Sequence, residues 1–433
     1  MRVLWICNIM LPLIAEHLNK ESNVKEGWIT GLARQVLTHS ENNNIELAVC
    51  FPVGSDFEPF DYKETFYTEI HGKQCKVTAY AFYEEVLLPE HYNRSLEQRF
   101  TQIFKDFNPD IIHCFGTEYP HTLAAAKVCP DKDKILLGIQ GICFALAEAY
   151  LADLPKNVCR RFLLRDLLKW DNIMIQQKKF YRRGKMEKKA LKLAKNVTGR
   201  TKWDKKKVQE INPKLTYHFM NETLRPVFYE GQWSYKKCKP HSIFLSQGDY
   251  PLKGLHYVLW AMPRILERYP DAHIYVAGQS IIRYKTLKEK LKISSYGKFL
   301  IQQIKKLGLE GKVTFLGRLS AEEMKEQYLS SHLFLCPSIL ENSPNSLGEA
   351  MLLGVPCVAA DVGGIPSLFS QKEGNLFEGG NVDALAEAVL SMWQDETRMQ
   401  ECAKNARARA LCNHDADCNY HTLMQIYEKM HMH

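Results

Sequence analysis

Short apolar, β-branched runs alternate with stretches of helical spacing along nearly the whole chain, and this alternation limits the fold more than any other feature. "MRVLWICNI" reads as a strand and "GWITGLARQVLTHS" as a helix; "IELAVCFPV", "CKVTAYAFY", "PDIIHCFG" and "KILLGIQG" follow as further strands. The rhythm resumes with "HSIFLSQG", the helix "GLHYVLWAMPRILERY", then "AHIYVAG", "KVTFLG", "HLFLCPS" and "VPCVAAD". Runs of this kind predict parallel sheets covered by helices on both faces. A chain of 433 residues exceeds one ordinary core, so two or three units are expected. The polar, proline-bearing residues 223–240 read as a linker between a domain at 1–222 and another at 241–413, with 414–433 a last helix able to pack back on the first domain. The expected fold class is α/β, two doubly wound Rossmann-like domains facing each other across a cleft. In such sheets ligands bind beyond the carboxyl ends of the strands, where strand order reverses.

Composition narrows the class. The thirteen cysteines form an odd set lying mostly in apolar runs, which suits a reduced, cytoplasmic protein better than a disulfide scaffold. "MRVLWICNIMLPLIAE" has only Arg2 as a basic leader and no small-residue cleavage site before Glu16, so a buried first strand explains it better than a signal peptide. No run reaches the ~20 apolar residues of a membrane span, and a cytoplasmic protein, soluble or peripheral on the inner face of the cell membrane, is expected. Net charge is +8, yet residues 155–215 hold 20 Lys and Arg against 5 Asp and Glu. That segment reads either as solvated faces of ordinary helices or as a patch for anionic lipid or an anionic acceptor. Nucleic acid is not expected, because no stacking platform accompanies the charge.

The stretch "CPSILENSPNSLGEAMLLGVPCVAADVGG", 336–364, is a strand, a loop and a helix. Ser343 suits an N-cap, Pro344 the first helical position and Gly354 the position after the C-cap. The free amides of Asn345 and Ser346 would form an anion site aided by the helix dipole. Glu341 precedes this site and Glu349 lies inside the helix, so each carboxylate can reach hydroxyls flanking a bound phosphate. Taken singly, each glutamate reads more plainly as a solvated acid. Together with Pro344, Gly348, "GVP" and "DVGG", the pair suits a ligand made of sugar, diphosphate and ribose.

This stretch resembles the E-x7-E signature of the retaining glycosyltransferases of family 4, the group 1 family with the GT-B fold. The resemblance implies that Glu341 contacts donor-sugar hydroxyls, that Glu349 binds the ribose, and that amides around Asn345, Ser346 and Leu347 hold the phosphates. "SQGDYPLKGLHYVLWAM" is similar to the family's G-R-L-x-P-x-K-G segment, which implies a diphosphate-binding role for Lys253 beside Gly254. Gly248 stands where that segment carries an arginine, and Arg318 is a candidate substitute cation. Gly27, preceded by Glu26, occupies the place of the family's glycine doublet. His113 matches the first histidine of a D-x-x-H-x-H strand end, with Phe115 in place of the second, and Gln140 replaces a histidine near the donor. The resemblance implies a front-face mechanism in which the leaving diphosphate accepts the acceptor's proton. It implies no metal and no cofactor beyond the nucleotide-sugar itself. Cys412, His414, Cys418 and His421 do not match a common zinc spacing.

The resulting expectation is a retaining, metal-independent glycosyltransferase with Glu341, Lys253 and His113 at the chemistry. It would transfer a sugar to a hydroxyl of a glycan or lipid-linked acceptor, in cell-surface polysaccharide or glycoconjugate synthesis. The rivals are a catalytically silent glycan- or nucleotide-binding subunit of the same fold and a phosphorylase or epimerase.

Overall fold

The computed structural model describes residues 1–20, 27–40, 44–85, 87–279, 281, 286 and 291–432. Its contacts divide the chain into two compact units, the first Met1–Ala145, Phe180–Leu224 and His414–His433, the second Leu146–Lys179 and Arg225–Asn413. Whereas the sequence reading kept 1–222 together, residues 146–179 thus group with the second unit.

The first unit is built on an eight-stranded sheet. Its strands are β1 (Arg2–Ile6), β2 (Glu46–Val53), β3 (Lys63–Ile70), β4 (Lys73–Tyr83), β5 (Ile111–Phe115), β6 (Ile135–Gly138), β7 (Asn196–Gly199) and β8 (Thr216–Phe219), in the order β3-β4-β2-β1-β5-β6-β7-β8. All neighbours are parallel except the β3–β4 hairpin, whose outer strand is mostly exposed, with Phe66 and Ile70 buried, as an edge strand can be. Val3, Leu4, Trp5 and Ile6 are fully buried in β1, at the centre, where a strand covered on both faces must be apolar throughout. The helix Ala416–His431 lays Tyr420, Leu423, Tyr427 and Met430 into the core that surrounds β1. The Trp5 indole N–H donates to the Tyr427 hydroxyl at 2.9 Å.

The second unit has a wholly parallel six-stranded sheet of β9 (Lys239–Leu245), β10 (His273–Ala277), β11 (Val313–Gly317), β12 (Ser331–Cys336), β13 (Cys357–Asp361) and β14 (Gly374–Glu378). The order is β11-β10-β9-β12-β13-β14. Chain direction across the sheet therefore reverses between β9 and β12, which pair Leu333 with Ile243 and Phe334 with Phe244. The loops leaving these two strands border the switch point where such sheets bind ligands. The helix Ala321–Ser330 begins with the expected capping box, Ser320 accepting from the Glu323 amide and Glu323 from that of Ser320. Residues 146–179 are fastened to this unit by polar bonds. His256 Nε2 donates to the Ala152 carbonyl at 2.9 Å, Tyr257 to Asp153 at 2.7 Å, and Ser295 to the Arg161 carbonyl at 2.9 Å. Among the described residues no helix is long and apolar enough to cross a membrane.

Candidate functional site

Beyond β9 the chain makes a tight turn, Pro251–Lys253, with Pro251 at its first position. Gly254 follows with φ of 72°, and a Cβ there would lie 2.0 Å from the Pro337 carbonyl oxygen. Only glycine permits that conformation and that approach. The close contact lays this turn against the loop leaving β12, and the Ile339 amide donates to the Leu252 carbonyl at 2.9 Å. Lys253 and Glu341 are thereby joined, Nζ to Oε1 at 2.5 Å, with the Ser338 hydroxyl donating to the same oxygen at 2.8 Å. Burial alone would lower the Lys253 ammonium, but the Glu341 carboxylate beside it, with Tyr250 nearby, holds it above its usual value. The backbone of Glu341 is fixed as well. Its carbonyl accepts from the Gly364 amide at 2.9 Å, and a Cβ on Gly363 would come within 2.0 Å of that oxygen. The "DVGG" glycines thus serve a close backbone approach that orients the acid.

The helix after this loop runs Asn345–Leu352. Ser343 is not its N-cap: Pro344 takes that place with ψ of 113°, without a side-chain cap. Its carbonyl receives the Leu347 and Gly348 amides at 3.0 and 3.4 Å. Asn345 and Ser346 are therefore the first two helical residues, whose N–H groups have no acceptor within the helix. Gly354 holds the expected position after the C-cap, with φ of 69°. The Leu347 side chain is buried in the core, so only its backbone is available to a ligand.

Glu349, one turn into this helix, is 5 % exposed and already has a partner that the sequence did not suggest. Arg225 Nη2 and Nε donate to Glu349 Oε1 at 2.7 and 3.1 Å. The Tyr328 hydroxyl lies 3.5 Å from Oε2 and donates to the Ser346 carbonyl at 2.9 Å. Burial raises the Glu349 carboxyl above the ordinary range, and Arg225 opposes the rise. Phe228 supports Arg225, its ring centroid 4.6 Å from the guanidinium carbon. Only the proline at 226, which holds Arg225 extended, sets that arginine apart in the sequence.

Gly248 is packed rather than vacant: a Cβ there would meet Leu255 at 2.8 Å and Val276 at 2.9 Å. An arginine does not fit this backbone without moving two core side chains. Arg318, the candidate substitute, is exposed just beyond β11. Burial raises the carboxyl of Asp249, which follows Gly248 in the turn, while Lys253 and Arg318 both draw it down. Arg318 is therefore within electrostatic reach of that turn.

The residues singled out in the first unit are placed differently. His113 lies inside β5, not at its end, and is fully buried against Trp5 and Phe115, with its Nδ1 2.8 Å from the Tyr427 hydroxyl. Burial lowers it to about 3, so it stays neutral and serves the core rather than the chemistry. Gln140 donates to Glu222 at 2.6 Å and accepts from Arg200, which is itself ion-paired with Glu222. Gly27 opens the helix Gly27–Thr38, and Glu26 lies outside the described residues. His414 Nδ1 donates to the Glu222 carbonyl at 2.6 Å. Among the described residues no cluster of His, Cys, Asp or Glu is arranged to hold a metal.

Residues 232–409 match the family described as Glycosyl transferases group 1. Over 145 residues the chain is 32% identical to an uncharacterized glycosyltransferase of Methanocaldococcus jannaschii, covering 33% of each protein. Over 167 residues it is 28% identical to the GDP-mannose-dependent monoacylated alpha-(1-6)-phosphatidylinositol monomannoside mannosyltransferase of Corynebacterium glutamicum, covering 37% of this chain and 39% of that one. A lipopolysaccharide core biosynthesis mannosyltransferase of Rhizobium meliloti is 25% identical over 181 residues, 41% of this chain and 48% of the relative. The matches thus span a third to a half of these relatives' length. Among solved structures, sucrose-phosphate synthase from Thermosynechococcus elongatus superposes with a TM-score of 0.68 at 14% identity, covering 99% of both chains. Anabaena HepE in complex with UDP and glucose follows at 0.62 and 16%, covering 99% of this chain and all of that one. At such identities the likeness is one of fold, the α/β architecture of the GT-B type.

Proposed function

We propose that the chain, whose residues 232–409 match the Glycosyl transferases group 1 family, is a retaining glycosyltransferase that works without a metal ion. It moves a sugar from a nucleotide-sugar to a hydroxyl of a glycan or lipid-linked acceptor. The observation that carries the reading is the Lys253–Glu341 pair at the switch point, beside the amide-bearing start of the helix Asn345–Leu352. A diphosphate at those amides brings an anion to Lys253, and the Glu341 carboxylate can then accept from donor-sugar hydroxyls. Each charge-assisted bond of that kind contributes about 1.5–3 kcal/mol when shielded from water. Glu349 serves the ribose hydroxyls from the other side of the phosphates.

In the reaction the bond from the anomeric carbon to the diphosphate oxygen breaks, and the acceptor oxygen bonds to the same face. The acceptor's proton passes to the leaving diphosphate, whose new charge Lys253 and the helix amides stabilise. No side chain has to act as a base, and the candidate histidine, His113, is buried in its own unit and neutral. Synthesis of cell-surface polysaccharide or glycoconjugates is the proposed setting, supported by relatives named for such products.

Calorimetric titration with UDP and GDP tests the site. Wild type should bind one of them, and Lys253→Ala and Glu349→Ala should each weaken binding at least about tenfold, a loss of roughly 1.4 kcal/mol. Equal affinity in all three proteins would remove both residues from the site. A second reading, a binding subunit without transferase activity, is favoured by Gly248, a position with no room for a cationic side chain. Nucleotide binding with no transfer across a donor panel would support it, and phosphate consumption or product without acceptor would mark a phosphorylase or an epimerase.

A further inference from the structure

We infer that the outward face of residues 162–170 is a docking surface for an anionic lipid bilayer. Phe162, Leu164, Leu167, Leu168 and Trp170 are between 40 and 79 % exposed, five large apolar side chains within nine residues. The Phe162 and Trp170 ring centroids are 5.8 Å apart, so the two ends of the stretch meet in one patch. An exposed apolar patch of several hundred Å² marks an interaction site rather than ordinary surface.

The short helix Leu164–Lys169 is inside out. Its acid faces the unit: Asp166 is 1 % exposed and accepts from the Leu163 amide and the Ser295 hydroxyl. Asn172, also buried, donates to the Arg161 carbonyl at 3.4 Å and accepts from the Ile175 amide at 2.9 Å. A solvated turn would bury its leucines and expose Asp166 and Asn172. Here the polar bonds hold the backbone while the leucines point away.

The charge around the patch selects the occupant. Residues 155–179 contain seven Lys and Arg against two acids, Asp166 and Asp171. Both acids are engaged within the unit, Asp166 as above and Asp171 with Arg165 and Lys179 at 3.5 and 3.6 Å. Lys156, Arg160, Lys169 and Lys178 are exposed. Apolar side chains ringed by cations, with a tryptophan at the edge, suit insertion at the boundary between acyl chains and anionic headgroups. A second copy of the chain would oppose positive charge to positive charge across a two-fold interface, which is repulsive.

The test is sedimentation of the full chain with vesicles of phosphatidylcholine alone and of phosphatidylcholine with phosphatidylglycerol. Wild type should bind the anionic vesicles at least about tenfold more tightly than the neutral ones. The exposed double substitution Leu167→Ser/Leu168→Ser should lower binding to anionic vesicles about tenfold or more, with melting temperature and nucleotide affinity unchanged. Vesicles should shift tryptophan emission to the blue in wild type and much less in Trp170→Phe. Absence of binding to anionic vesicles, equal binding to both lipids, unchanged binding by the double variant, or a full shift in Trp170→Phe would each overturn the proposal. So would a wild-type dimer that ignores vesicles and that Leu167→Ser/Leu168→Ser dissociates.

Discussion

Arg225→Ala removes the one cation bonded to the buried Glu349 among the described residues and should destabilise the second unit in a manner that depends on pH. Breaking a buried pair by deleting one partner costs about 3–5 kcal/mol, because the other charge is left in a poorly solvated site. Arg225 is 24 % exposed at its side chain and Glu349 6 %, so water partly replaces the guanidinium, and about 2–3 kcal/mol is the expected loss. For a unit of this size that lowers the melting temperature by roughly 5–10 °C. Burial already raises the Glu349 carboxyl and Arg225 opposes that rise, so the variant's carboxyl rises further. A carboxyl raised on folding binds its proton more tightly in the native chain. Its contribution is therefore favourable at low pH and is lost as pH climbs past the unfolded value of about 4.3 and through the folded one. The difference between wild type and Arg225→Ala should accordingly be larger at pH 8 than at pH 5. Thermal melts followed by circular dichroism across that range measure it. Adding Glu349→Gln removes the stranded charge, so the double variant should recover part of the stability lost at pH 8. A difference independent of pH, or strict additivity of the two substitutions, would refute the reasoning.

Lys253→Ala should lower the transfer rate by about 10²–10³, the usual cost of losing a group aimed at developing charge, in a steady-state assay with a saturating donor. Gly254→Ala places a Cβ 2.0 Å from the Pro337 carbonyl at a φ of 72°; a loss of about 2–4 kcal/mol is expected, read by melting temperature or soluble yield. Gly248→Arg should reduce stability by about 1–3 kcal/mol through overpacking against Leu255 and Val276, and it should not raise the transfer rate. His113→Gln should leave the shape of the pH–rate profile unchanged between pH 5 and 8, since the native imidazole, lowered to about 3, does not titrate there.

The parallel sheets were legible because strands buried on both faces must be written as unbroken apolar runs. The strands that escaped notice lack that signature. β3 lies at an edge with most of its residues open to water, β7 is four residues within the cationic stretch and β8 four residues just after it, and β14, "GNLFE", mixes polar and apolar residues. Lys253 and Glu341 stood out as members of motifs, but nothing in either motif says that they bond to each other across 88 positions. Arg225 was invisible for the same reason, lying 124 positions from its partner with no motif of its own. The helix start shifted by one residue because the Pro344 carbonyl can take the first helical bonds while its ring stays in extended geometry. His113 was read as a strand end because "HCFG" hides where pairing stops. The ladder continues to Phe115, which sits opposite Gly138, and that places the imidazole inside. The inversion of the helix Leu164–Lys169 follows from what Asp166 and Ser295 do together, information that no local pattern holds.

The helix Ala416–His431 has a consequence for how the chain is made. Trp5 is synthesised 422 positions ahead of Tyr427. At 5–20 residues per second, roughly 20–80 s separate their emergence from the ribosome. Throughout that interval the nascent protein holds the flank of its first strand unsealed while a whole second unit takes shape downstream. Folding of the first unit is therefore completed after translation of the second, not before it.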